Sequence, residues 1–181
     1  EASLLLLGLE RNQDAWDRAR PLFEPYIEQR QWQSAVEICD ICFRAEQDSS
    51  MSALGQGVWL AVTFPVDPEL TVAMLQHIVD ETPDDSDGAA VAAATALYVV
   101  DLRAEGKQHE DLQFFAMQMM GSVARRHSNV DGQEQFDAWT EKLQLSDPAK
   151  FLVRMRNVID VMVQSDWWFD REAVQAELPV N

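Results

Sequence analysis

Residues Gly88 to Val100 read G-A-A-V-A-A-A-T-A-L-Y-V-V and follow directly on an acidic turn, Asp80-Glu81-Thr82-Pro83-Asp84-Asp85-Ser86-Asp87. Alanine is the best helix former, and a helix that is apolar on every side has to be covered on every side. The stretch is too short for the ~20 apolar residues of a membrane span. It is therefore predicted to be a buried helix over 88–104, capped by Ser86 or Asp87 and ended by Gly106.

Such a helix needs neighbours with apolar faces, and the remaining chain offers helix periodicity with almost no strand alternation. Leu4 to Leu9 reads as the first turns of an amphipathic helix rather than as a secretory signal, since no basic stretch precedes it. Asp14 is placed to cap a segment through Trp16, Ala19, Phe23 and Ile27, with a break near Arg20 where Pro21 opens a new turn. In Trp32 to Glu46, the residues Trp32, Ala35, Val36, Cys39, Cys42 and Phe43 share one face. Ser52 to Phe64 is β-branched enough to resemble a strand. Its length and helical neighbours favour helix, with Gly55 and Gly57 marking close packing or fraying.

Asp67-Pro68 and Asp147-Pro148 are helix restarts, each an N-cap followed by proline at the first helical position. Between them, His109 to Arg126 is predicted to bury Leu112, Phe115, Ala116, Met119 and Val123, and Asp131 with Glu134 has capping-box spacing. Paired in order, the segments give hairpins at about 14–47, 52–81, 86–127 and 131–165. The expected fold is all-α: antiparallel helical hairpins in an irregular solenoid-like array or a bundle around the Ala-rich helix. The turn after Gln31, with Trp32 and Ala35, resembles a tetratricopeptide unit, but the later pairs do not repeat the pattern at the same offsets. With 181 residues, a single domain over 1–181 is predicted, closed by an aromatic segment at 166–181.

Acids outnumber bases 31 to 14, for a net charge of −17. A surface of that sign repels phosphate backbones and anionic lipid, so direct binding of nucleic acid or membrane is not expected, while a basic protein partner is left open. With only two cysteines and no targeting signal, a cytoplasmic location is expected.

Catalytic signatures are sparse. Cys39-Asp40-Ile41-Cys42 has redox or zinc spacing, but both sulfurs fall on the apolar face and no second ligand pair exists, so they read as core. His77 and His109 lie far apart in sequence, and the acids after His109 suit a helix start. The acidic turn fails the calcium-loop pattern, because aligning Gly88 with the loop glycine leaves Pro83 and Ala94 at ligand positions. No phosphate-binding or nucleophile motif occurs. No catalytic residue, metal site or cofactor is assigned.

Candidate binding residues are Trp167, Trp168 and Phe169, with Asp84, Asp85 and Asp87 of the acidic turn, which reads first as a solvated helix cap and second as a docking surface for something basic. Adjacent residues on a helix point about 100° apart, so one helix face cannot bury all three aromatics. Either the chain folds them back over its core or some stand exposed as an anchor. Met117, Met119 and Met120 read first as helical core and second as an adaptable groove. The leading expectation is a cytoplasmic protein–protein interaction module, an adaptor, chaperone-like or regulatory protein. The alternatives are an all-α metal-dependent hydrolase using carboxylates and histidine, and an acidic decoy of a nucleic-acid-binding protein.

Overall fold

The computed structural model describes residues 1–179, which are all-α with no strand among them. The chain gathers into two compact units. One contains residues 1–66 together with the chain from Ile159 onward, and the other contains Asp67–Val158. No helix among the described residues is long and apolar enough to cross a membrane.

The first unit opens with α1 (Ala2–Gly8) and α2 (Asn12–Ala19). Asp14 does not cap α2 as expected. The helix starts two residues earlier, and the Asp14 carboxylate accepts a 2.7 Å bond from Arg11 Nε at the N-cap position. The predicted break at Arg20 is a 3₁₀ turn, Arg20–Leu22, with Pro21 in its first turn, where the missing N–H has no helical partner to lose. Then come α3 (Phe23–Glu28), α4 (Trp32–Arg44) and α5 (Ser50–Thr63). The ambiguous segment is thus helical, and α5 is buried continuously from Ser52 to Ala61.

Helices α4 and α5 pack side by side, joined by a five-residue connection that makes them antiparallel. Gly55 permits close packing of α5 on the chain from Ile159 to Val163. A Cβ at Gly55 would fall 2.5 Å from Val163 Cγ2 and 3.3 Å from Met162 Cβ.

The second unit contains α6 (Pro68–Glu81), α7 (Asp87–Arg103), α8 (Gly106–Ser128), α9 (Gln133–Lys142) and the start of α10 (Pro148–Val163). Asp67 caps α6, accepting from Glu69 N–H at 2.7 Å, and Asp147 accepts from Ala149 N–H at 3.1 Å to begin α10. Ser86 caps α7, its Oγ accepting from Gly88 N–H at 3.2 Å. The Ala-rich helix is buried without a break from Gly88 to Thr95 and Ala96, and again at Val99 and Val100. It packs between α6 and α8, and those two also touch each other. Phe151 of α10 meets Tyr98 edge-on at 6.0 Å.

Three local expectations change. Gly106 does not close α7: the helix stops at Arg103, Ala104 and Glu105 are extended, and Gly106 opens α8 with φ +57°. A two-residue connection needs a positive φ to reverse direction, and glycine supplies it without steric cost. Because α8 begins there, Glu110 and Asp111 lie beyond its first turn, and His109 Nε2 instead meets Asp101 at 2.9 Å. Asp131 caps nothing either. Gly132 precedes α9, and Gln135 Oε1 accepts from the Asp131 N–H at 2.7 Å. Helix α4 pairs with α5 and α6 with α7, and the boundary between units, Val66/Asp67, falls inside the expected 52–81 hairpin.

Gly55→Ala decides whether α5 depends on close approach. Alanine in place of glycine in a helix gains about 1 kcal/mol, whereas overpacking a core costs about 1–3 kcal/mol. With β-branched Val163 the first atom met, a net loss of stability is expected in urea unfolding, and a gain would contradict the packing.

Candidate functional site

Between the end of α10 at Val163 and α11 (Arg171–Ala176) the chain has no regular structure, so its backbone groups need partners from elsewhere. Gln56, on α5 and fully buried, provides them. Its Oε1 accepts from Trp168 N–H at 2.7 Å, while its Nε2 donates to the carbonyls of Asp166 at 3.1 Å and Ser52 at 3.2 Å.

Held there, the three aromatics fold back over the first unit and are each half-buried. Trp168 meets Phe23 edge-on at 5.2 Å and Trp16 at 6.0 Å. Phe169 lies 5.7 Å from both Phe23 and Trp59, and Trp167 meets Trp59 edge-on at 6.4 Å. The chain's own cations cover two of the rings. The Arg20 guanidinium lies 3.9 Å from the Trp168 centroid and that of Arg171 lies 4.2 Å from Trp167. An incoming cation would have to displace a guanidinium already placed to use the ring quadrupole.

The acidic turn is also tied into the fold. Asp87, first residue of α7, accepts from His127 Nε2 at 2.9 Å and from Arg154 Nη2 at 3.1 Å. Asp84 is 3.5 Å from Arg126 Nε, an ion-pair contact that leaves the buried Nε–H without a hydrogen bond. Arg126 Nη2 donates to the carbonyls of Val79 and Thr82 at 2.8 and 3.2 Å. Asp85 is exposed and makes no hydrogen bond or ion pair among the described residues.

His127 forms a relay that composition does not reveal. Trp139 Nε1–H donates to its Nδ1 at 3.2 Å, and Ser128 Oγ is 2.6 Å from the same nitrogen. Nδ1 is therefore the acceptor, and Nε2 carries the proton given to Asp87. Serine, histidine and aspartate in this order have the outline of a nucleophile relay. The rest of an acyl-transfer site is missing. Ser128 ends α8, where the helix dipole is negative and opposes an oxyanion. The N–H groups that follow it, at Asn129, Val130 and Asp131, are committed to Arg125 O, Ala124 O and Gln135 Oε1. The relay locks the start of α7 to the end of α8 and to α9. Its signal in the sequence is indirect: a hairpin of α7 and α8 brings position 87 beside position 127.

Among the described residues, no three of His, Cys, Asp or Glu converge on a metal position. Cys39 and Cys42 are buried free thiols. Burial, and then the neighbouring Cys42, push the Cys39 thiol well above its ordinary 9.0; burial raises Cys42 to about 12.

Apolar side chains stand open on α8. The expected core position Phe115 is 46% exposed, beside Phe114 at 67% and Met117 at 46%. Ala116, Met119 and Val123 are buried as expected and Met120 and Ala124 join them, a rotation that carries Phe115 to the edge. Phe114, Met117, Gly121 and Arg125 follow one another at i, i+3, i+7 and i+11, along one stripe. The stripe runs into a groove of about 310 Å³ bounded by Met117, Gly121, Arg125, Val130, Gln133 and Phe136. Comparison with protein-family profiles, curated proteins and solved structures gave no match.

Gln56→Leu is expected to strand the Trp168 N–H and the Asp166 carbonyl at about 1–3 kcal/mol for each group left buried without a partner. Hydrogen exchange should show the Trp168 amide losing protection ahead of the α5 amides. Equal protection in variant and wild type would contradict the latch. For the cysteines, a thiol held protonated in the fold keeps its proton above the unfolded pKa, so unfolding releases protons and stability falls as pH rises. For Cys42 the fall spans about pH 9 to 12 and should be shallower in Cys42→Ala. Identical slopes would remove the assignment.

Proposed function

We propose that this protein is a helical protein–protein interaction module, adaptor-like or regulatory rather than catalytic, that docks an amphipathic helix of another protein on the outer face of α8. The observation that carries the reading is the pair Phe114 and Phe115 with Met117, three large apolar side chains exposed together on one helix. Burying one such side chain is worth about 1.5–3 kcal/mol. Aromatic residues and methionine are enriched in protein interfaces, where a few side chains carry most of the energy.

The stripe from Phe114 to Arg125 spans 12 residues, about 16 Å or three turns, which suits a helix laid alongside it. A net charge of −17 favours encounter with a partner that is basic overall. The C-terminal aromatics are less suited to the role, since Arg20 and Arg171 already cover Trp168 and Trp167. Neither the metal-dependent hydrolase nor the nucleic-acid decoy has a specific observation in its favour.

Photo-crosslinking in the native host tests this reading, with benzoylphenylalanine at position 114, at 168, or at the exposed Arg156 as control. A discrete heterologous adduct from 114 and none from 156 is expected. An adduct of twice the chain's mass would replace the partner with a second copy. Adducts from 168 alone would move the surface to the C-terminal aromatics.

A further inference from the structure

We infer that the groove at the end of the α8 stripe binds a single carboxylate of the docked helix, with Arg125 as its counter-ion and Met117 and Phe136 holding an apolar side chain one turn away. The inference rests on the docking surface proposed for α8 and specifies what that surface selects.

Arg125 lines the groove and makes no ion pair or hydrogen bond among the described residues, although acids outnumber bases 31 to 14. Its neighbour Arg126 is engaged by two carbonyls and a carboxylate. The Arg125 side chain lies back over Gly121, with Nη1 3.9 Å from where a Cβ there would sit and, beyond the adjoining backbone of α8 and the two flanking residues, no other atom within 4 Å. Gly121 therefore leaves the groove floor open, and the guanidinium lies along that floor.

Apolar walls strengthen a contact made there. Opposite charges attract several-fold more strongly at the effective dielectric of a protein surface than in bulk water. A guanidinium also presents two parallel N–H donors to a carboxylate. The chain's overall negative charge opposes an acidic ligand, but screening limits exposed charges to about 8 Å at physiological salt. Within the adjoining turn and helix, Asp131 and Glu134 are exposed acids, which disfavour a second carboxylate.

The selected ligand is a helix that is neutral or basic overall and carries one Glu or Asp. Met117 and Gly121 are four residues apart, about 6 Å along the helix. The ligand's anchor and carboxylate therefore belong at i and i+3 or i+4.

The test uses the full chain and two fluorescein-labelled helical peptides of about 16 residues, each with leucine anchors and lysines on the far face. They differ only in Glu or Gln one turn after the central leucine. In fluorescence anisotropy the Glu peptide is expected to bind about tenfold more tightly, with the preference shrinking as salt rises. Arg125→Ala should abolish the preference, bringing the two peptides to equal affinity. Phe114→Ser should weaken both peptides and keep their ratio. Gly121→Phe should exclude both by filling the floor, while unfolding at or above the wild-type midpoint because it replaces a helical glycine. Equal binding of the two peptides, or a Glu preference that survives Arg125→Ala, overturns the carboxylate site and leaves the docking surface standing. Failure of both peptides to bind, with the protein folded, overturns the site and the docking surface together.

Discussion

A helix buried all the way round can offer its neighbours only small side chains, and each neighbour must turn an apolar face towards it. In the second unit that helix is α7, where alanines run from Ala89 to Ala96 with little else between them. Covering it commits α6 on one side and Ala116, Met119, Met120, Val123 and Ala124 of α8 on the other. A helix has one such face to give. Whatever else α8 carries is left outside, and what it carries is Phe114, Phe115 and Met117. Polar locks at the helix ends hold the arrangement in register: Asp87 with His127 and Arg154, Trp139 with His127, and Arg154 Nη1 with the Leu143 carbonyl at 2.5 Å.

The first unit handles its aromatics in the opposite way. Gln56 brings one buried amide to a segment without helical hydrogen bonds, and the tryptophans follow the backbone into contact with Trp16, Phe23 and Trp59. Arg171 lies over Trp167 and also pairs with Asp160 at 2.5 Å, so the rings are fixed from both ends. The Arg30–Glu177 ion pair ties the chain beyond α11 to the end of α3. The C-terminal aromatics and two guanidiniums thus belong to one contact network with Trp16, Phe23 and Trp59 within the unit.

Three helix starts were legible because their chemistry is local: Asp67-Pro68, Ser86 and Asp147-Pro148 each cap where their side chains indicate, while Asp14 and Asp131 do not. Helix stops were not. Glu10, Arg30, Glu46 and Gln144 adopt positive φ at helix ends, where glycine or asparagine would have signalled the turn. At three of them the backbone closes the six-residue bond of a Schellman motif: Arg11 N–H to Leu6 O, Gln31 N–H to Tyr26 O and Leu145 N–H to Thr140 O. The rule applied to Trp167-Trp168-Phe169, that adjacent aromatics cannot share one helix face, applies with more force to Phe114-Phe115 inside a regular helix. Arg125 had no such cue, because a lone arginine in a helix gains meaning only beside Gly121 and Phe136.

The split of α8 into a covered and an open face is the claim on which the functional reading stands, and its methionines report on both faces at once. With methionine ε-methyls labelled for NMR, a soluble paramagnetic agent should broaden Met117 strongly and leave Met119 and Met120, 5% and 3% exposed, nearly untouched. Protection of Met117 equal to that of Met119 and Met120 would contradict the account.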